Sequence, residues 1–149
     1  MIAVIQRVYG CSVHVNNFEL DRIEKGMLIL LGVGEADTRE DANYLAAKAV
    51  NLRIFSDDDG QMNINVQDSG GDIMVVSQFT LHADTRKGNR PSFIRAARPE
   101  IALPLYEYFM EQISILHGNR CARGRFGADM KLNFTNDGPV TIIIDSKNK

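Results

Sequence analysis

Two hydrophobic periods alternate along this chain, and the places where one gives way to the other mark its elements. Ala3–Tyr9 and Ser12–Val15 are rich in Val and Ile and read as two strands, with Asn16-Asn17 as the following turn. Gly26–Gly34 is a continuous apolar run between glycines. A buried strand or part of a buried helix fits it, and the glycine brackets favour the strand. Asp37, with Glu40 three residues later, reads as a reciprocal helix cap. Ala42, Leu45, Ala46 and Ala49 follow at helical spacing, which predicts a helix over Thr38–Asn51. Leu52–Phe55 reads as a short strand and Asp57-Asp58-Asp59-Gly60 as a tight turn that lacks the later ligands of a calcium loop.

Ser69-Gly70-Gly71 breaks the chain before a strong strand, Asp72–Phe79, and Thr85–Pro91 is a polar, basic loop. Leu105, Phe109, Ile113 and Leu116 mark one face of a second helix that ends near Gly118; Pro99 and Pro104 crowd its start. Met130–Thr135 and Val140–Asp145 read as the last strands, with a Gly138-Pro139 corner between them. The order predicts one mixed α/β (α+β) domain over residues 1–149: a β-rich three-layer β/β/α sandwich or barrel-like fold with two main helices on one side.

Composition adds limits rather than detail. Hydrophobic residues are 44% and charged residues 24%, ordinary for a soluble globular chain. Cys11 and Cys121 lie far apart, in no metal-ligand spacing, and suit a reducing compartment. The N-terminal residues lack the apolar core of a signal peptide, and no run reaches the about 20 apolar residues of a membrane span. These point to a cytoplasmic protein.

The net charge of −2 hides an asymmetry: residues 1–84 carry a balance of −7 and residues 85–149 one of +5. Arg86, Lys87, Arg90, Arg95 and Arg98 follow one another without an acid, and Arg120, Arg123, Arg125 and Lys131 have only Asp129 among them. These are solvated loops or local phosphate contacts. The acidic total argues against extensive nucleic-acid binding.

Catalytic chemistry has few candidates. Ser77, Gln78, Phe79 and Thr80 end an apolar strand, where hydroxyls, an amide and backbone N–H groups could hold a reacting group; an ordinary edge strand fits as well. His82 lies two residues from Thr80, but no Gly-x-Ser-x-Gly elbow occurs, and a solvated histidine is the simpler reading. No His-x-x-x-His or Cys-x-x-Cys is present, and Gly32-Val33-Gly34 lacks the rest of a phosphate loop. Neither metal nor cofactor is expected. Gly138-Pro139 alone reads as a strand-starting turn.

Ser77-Gln78-Phe79-Thr80-Leu81 taken with Asn136-Asp137-Gly138-Pro139-Val140-Thr141 resembles the motif pair of the D-aminoacyl-tRNA deacylases, the D-tyrosyl-tRNA deacylase family. Ala3–Val8, Lys87–Phe93 and Phe126–Met130 also look like family segments, so the likeness spans the chain. It implies a metal-free homodimer that hydrolyses the ester between a D-amino acid, or glycine, and the 3′-terminal adenosine of tRNA. It implies a cis Gly138-Pro139 step that enters the partner subunit's pocket and turns backbone carbonyls toward the substrate amino group. Ser77, Gln78, Phe79 and Thr80 would form the opposite wall, with Thr80 either nucleophile or orienting group. Phe126, Ala128 and Met130 would line the adenosine side, and Arg86, Lys87 and Arg90, with the basic residues at 120–125, would meet acceptor-end phosphates. A non-enzymatic dimeric RNA-binding module on the same scaffold is the alternative.

Overall fold

A computed structural model describes residues 1–148. β1 (Ile2–Val15) and β2 (Phe18–Gly32) form a long antiparallel hairpin. Asn16 and Asn17 close it at φ +51° and +65°, the left-handed pair that a tight hairpin turn needs and asparagine tolerates. β5 (Asp72–Ser77) joins β2 in parallel and β6 (Ala122–Arg123) joins β5 in parallel, while β7 (Lys131–Asp145) runs antiparallel along the other side of β1. The sheet order is β6-β5-β2-β1-β7. β3 (Phe55–Ser56) and β4 (Met62–Ile64) make a separate small sheet.

The run Met27–Leu31 is apolar throughout because both of its faces are buried. Met27, Ile29, Leu31, Ile73 and Val75 face the helices α1 (Arg39–Asn51) and α2 (Pro99–His117), where Leu45, Ala46, Phe109 and Ile113 meet them. Leu28, Met74 and Val76 face the other way, into a second cluster with Val8, Cys11 and Val13. Gly10, at φ +58°, is where the buried parity of β1 changes: Ala3 and Ile5 face the helices, whereas Cys11 and Val13, also odd-numbered, join the second cluster. The mixed α+β class and the two helices on one face agree with expectation; the second sheet has only two strands.

Several boundaries differ. The two expected N-terminal strands are one, as are the last two. Thr38, not Asp37, caps α1, with the Asp41 carboxylate accepting the Thr38 N–H at 2.8 Å. Asp37 is drawn inward, where it takes the Met1 ammonium at 2.6 Å and the Gly34 N–H at 2.6 Å. Leu52 closes α1 instead of opening a strand. α2 starts at Pro99, and its buried stripe is Ala102, Tyr106, Phe109, Met110, Ile113 and His117, because the helix packs on α1 as well as on the sheet; Leu116, expected on the buried face, is exposed.

Candidate active site

β5 leaves the sheet at Ser77, opposite Leu31 of β2. The Gln78 N–H makes the last bond, 2.8 Å to the Leu31 carbonyl, and the chain then coils into one 3₁₀ turn, Phe79–His82. That turn lies hard against the end of β2. A Cβ on Gly32 would sit 3.0 Å from the Gln78 carbonyl oxygen and 3.0 Å from the Leu81 Cβ, and one on Gly34 would sit 3.0 Å from the His82 ring. Gly32 and Gly34 thus serve close approach. Gln78 donates its amide N–H to the Thr80 hydroxyl. The Phe79 and Thr80 N–H groups, at the start of the turn, have no partner among the described residues. His82 is half-buried, not solvated; its Nε2 is buried and has no hydrogen-bond partner among the described residues.

Beside this turn lies an apolar cavity of about 410 Å³, within the range of small-molecule sites. Leu31 and Val33 form its floor, Ser77, Gln78 and Phe79 one wall, and Ala97 with Pro99 and Ala102 at the start of α2 the other. The Phe79 and Phe93 rings meet edge to face at 5.1 Å across its rim. Phe126 closes the far end and leans on Tyr106 at 5.8 Å. Tyr106 is fixed in turn by a 2.9 Å hydrogen bond from its hydroxyl to the Val75 carbonyl, and burial pushes its phenol well above the ordinary range.

Of the expected adenosine-side residues, Phe126 alone lines the cavity. Ala128 sits beyond it on a turn whose N–H bonds the Arg125 carbonyl at 3.2 Å, and Met130 packs into the second core cluster over Gly124. Thr80 is exposed at the rim. In the loop after the turn, Asp84 pairs backbone to backbone with Ser92 and holds the Arg86 guanidinium, which keeps the Asp84 carboxyl far below its usual value. Lys87 and Arg90 stand exposed at the loop tip.

The Gly138-Pro139 loop is a bulge in β7. Pairing with β1 stops at Gln6↔Thr141 and resumes at Val8↔Asn136, so Asp137–Val140 face Arg7 alone. Arg7 fills that gap: Nε lies 3.2 Å from the Asp137 carbonyl and 2.9 Å from its carboxylate, and Nη1 donates 2.7 Å to the Ile54 carbonyl. The Asn136 amide spans the neck, accepting the Val140 N–H at 3.2 Å and donating to the Thr141 hydroxyl at 3.1 Å. Gly138 has φ +122°, and a Cβ there would meet Val140 Cγ2 at 2.8 Å and Arg7 Nη2 at 3.0 Å. The Gly138-Pro139 bond is cis, and both residues are exposed.

The two expected motifs do not meet within one chain. Arg7 pairs with Met27, which pairs with Ile73, whereas Ser77 lies four residues further along β5. Three strand spacings also place the loop about 14 Å to the side of β5.

Arg7 carried no assigned role in the sequence reading. Its signal was a charge inside an otherwise apolar strand. Phe93, Leu31 and Ala102 gave no signal of a cavity, because core and cavity residues share one composition. Among the described residues no three His, Cys, Asp or Glu side chains converge on a possible metal position. Cys11 and Cys121 are free and buried, and burial pushes their thiols up to about 11 and about 12, so neither is a thiolate nucleophile at neutral pH.

Comparison with known proteins converges on one family. The D-Tyr-tRNA(Tyr) deacylase family profile matches residues 4–145. A D-aminoacyl-tRNA deacylase of Bacteroides fragilis is 54% identical over 149 residues, covering 100% of this chain and 99% of its own. That of Akkermansia muciniphila is 55% identical over the same shares. A solved structure titled c-Myc DNA Unwinding Element Binding Protein superposes with a TM-score of 0.91 at 38% identity, over 97% of this chain and 98% of its own. A second, titled a probable eukaryotic D-amino acid tRNA deacylase, has the same fold, with a TM-score of 0.80 at 18% identity over 96% and 97%. The chain belongs to the D-Tyr-tRNA(Tyr) deacylase family.

Proposed function

We propose that the chain hydrolyses the ester joining a D-amino acid, or glycine, to the 3′-terminal adenosine of tRNA, and that it does so as a homodimer. The observation that carries this reading is the mismatch between its two motifs. The cavity at Ser77–Phe79 is open on one side, while the anchored Gly138-Pro139 loop points outward from a different part of the sheet. A two-fold pair lets each loop close the other copy's cavity.

In that arrangement the Gly138 and Pro139 carbonyls accept hydrogen bonds from the substrate ammonium. With the ammonium and the ester carbon both held, a D side chain points to open space and an L side chain strikes backbone. The N–H groups of Phe79 and Thr80 polarise the ester carbonyl. A water oxygen, deprotonated with help from the adenosine 2′-hydroxyl, attacks the carbonyl carbon. The bond to the 3′-oxygen then breaks, and the water proton ends on that oxygen. Thr80, held by Gln78, orients this water, and Ser77 completes the polar wall; among the described residues no histidine hydrogen-bonds the Thr80 hydroxyl to make it a nucleophile. Phe126 offers a ring for the adenine, while Ala128 and Met130 shape the segment that carries it. Arg86, Lys87 and Arg90 meet backbone phosphates without reading sequence.

The test offers matched D- and L-aminoacyl-tRNA to the purified protein. The reading predicts release of the D-amino acid alone, and Pro139→Ala admitting the L-ester more than it slows the D-ester. Equal hydrolysis of both esters by the unmodified protein sinks the chiral claim. The second reading, a dimeric RNA-binding module without hydrolysis, draws on the neighbour titled as a DNA-unwinding-element binding protein; binding without release of either amino acid would favour it.

A further inference from the structure

A second cavity, of about 580 Å³, lies on the other side of Phe126. Phe126 is a wall of both cavities, and α2 runs past both, giving Ala102 to the first and Leu103 and Met110 to the second. Leu20 of β2 and Leu103 present apolar surface here, 39% and 37% exposed. Three arginines, Arg120, Arg123 and Arg125, stand around it.

Their charges are not equally available. Asp21 takes the Arg120 guanidinium through two 2.7 Å bonds and the Arg123 backbone N–H at 3.0 Å. Burial alone would raise the Asp21 carboxyl, but these donors outweigh it and keep the group ionised. Arg120 is therefore neutralised in place. The Arg123 and Arg125 side chains are exposed and have no ion-pair partner among the described residues. Glu107 is the other acid on the lining, and it leaves the two free guanidiniums in excess. An apolar floor beside two unpaired guanidiniums matches a base beside a phosphate.

Resting on the ester-hydrolase reading above, we propose that this second cavity seats the nucleotide preceding the terminal adenosine. Its base lies over Leu20, Leu103 and Met110, and the phosphate linking it to the adenosine lies between Arg123 and Arg125. The RNA strand thereby passes from one cavity to the other around Phe126. Length of the RNA end, rather than the amino acid, is what this seat senses.

Equilibrium binding of two probes separates this claim from catalysis: adenosine, and the 5′-phosphorylated trinucleotide CCA, both without an amino acid. The unmodified protein binds the trinucleotide more tightly than adenosine. In Arg123→Gln/Arg125→Gln the trinucleotide weakens on the order of 10-fold and its log–log salt slope falls by about 1, while adenosine affinity stays the same. Lysine at both positions restores most of the loss. The proposal is overturned if the double variant loses both probes equally. It is also overturned if Arg53→Gln, another exposed arginine, weakens the trinucleotide as much, or if the unmodified protein binds both probes alike. A protein that shows the arginine-dependent preference yet hydrolyses no D-ester keeps this seat and loses the hydrolase reading.

Discussion

Gly138 has little conformational freedom. Its φ of +122° and the 2.8 Å approach of Val140 Cγ2 to a would-be Cβ leave no place for alanine. Gly138→Ala should destabilise the protein by about 1–3 kcal/mol through backbone strain, measurable by urea unfolding, and should depress D-ester hydrolysis further by moving the loop. Thr80 is the opposite case, exposed and replaceable. Thr80→Val should lower kcat less than about 10-fold, since in the proposed mechanism backbone N–H groups polarise the carbonyl; a loss beyond about 1000-fold in single-turnover hydrolysis would make Thr80 the nucleophile instead. Local pattern placed Ser77–Thr80 at the end of an apolar strand and Gly138-Pro139 at a stiff corner, and only the resemblance to a family joined the two. The role of Arg7 was not, because its partner Asp137 lies 130 positions away and no local pattern records that contact.

Among the elements, β5 and the second half of β2 were the easiest to read, since burial on both faces leaves an unbroken apolar run, whereas the polar, mostly exposed first half of β2, residues 18–25, gave no strand signal. β7 was misread as two strands. Gly138-Pro139 does interrupt its ladder, but β1 pairs with it on both sides of the bulge, so one strand continues through. The cap of α1 was displaced by one residue for an electrostatic reason. Asp37 is occupied by the Met1 ammonium, and the capping role passes to Thr38 and Asp41. Asp41 is buried, which by itself raises its carboxyl, but hydrogen bonds from Lys147, Ser146 and the Thr38 backbone pull it far below the ordinary value. A folded-state value below the unfolded one means that Asp41 adds stability above about pH 4 and loses it as pH falls further. Asp41→Asn should therefore lower the melting temperature at pH 7, and its deficit should shrink steadily as pH falls from about 4 toward 2. A deficit that is constant across that range would assign the effect to packing rather than charge.

At the scale of the whole molecule, the charge asymmetry between the two halves was readable in the sequence, and so was the mixed α+β class. The separation of the two motifs across the sheet was not, because it depends on strand order. In the proposed reading, that separation leaves a single chain incomplete as a chiral site, and the D-specific pocket is assembled from two copies. A mixed-dimer experiment tests it most directly. Ala96 also lines the cavity; Ala96→Trp fills it and Gly138→Trp displaces the loop, so each variant alone should be inactive on D-aminoacyl-tRNA. Refolded together in equal amounts, half of the dimers carry one copy of each, and in every such dimer one of the two sites pairs an intact cavity with an intact loop. Hydrolysis should then recover to about a quarter of the unmodified activity. If the mixture stays as inactive as its parts, cavity and loop serve the same chain and the two-copy pocket is wrong.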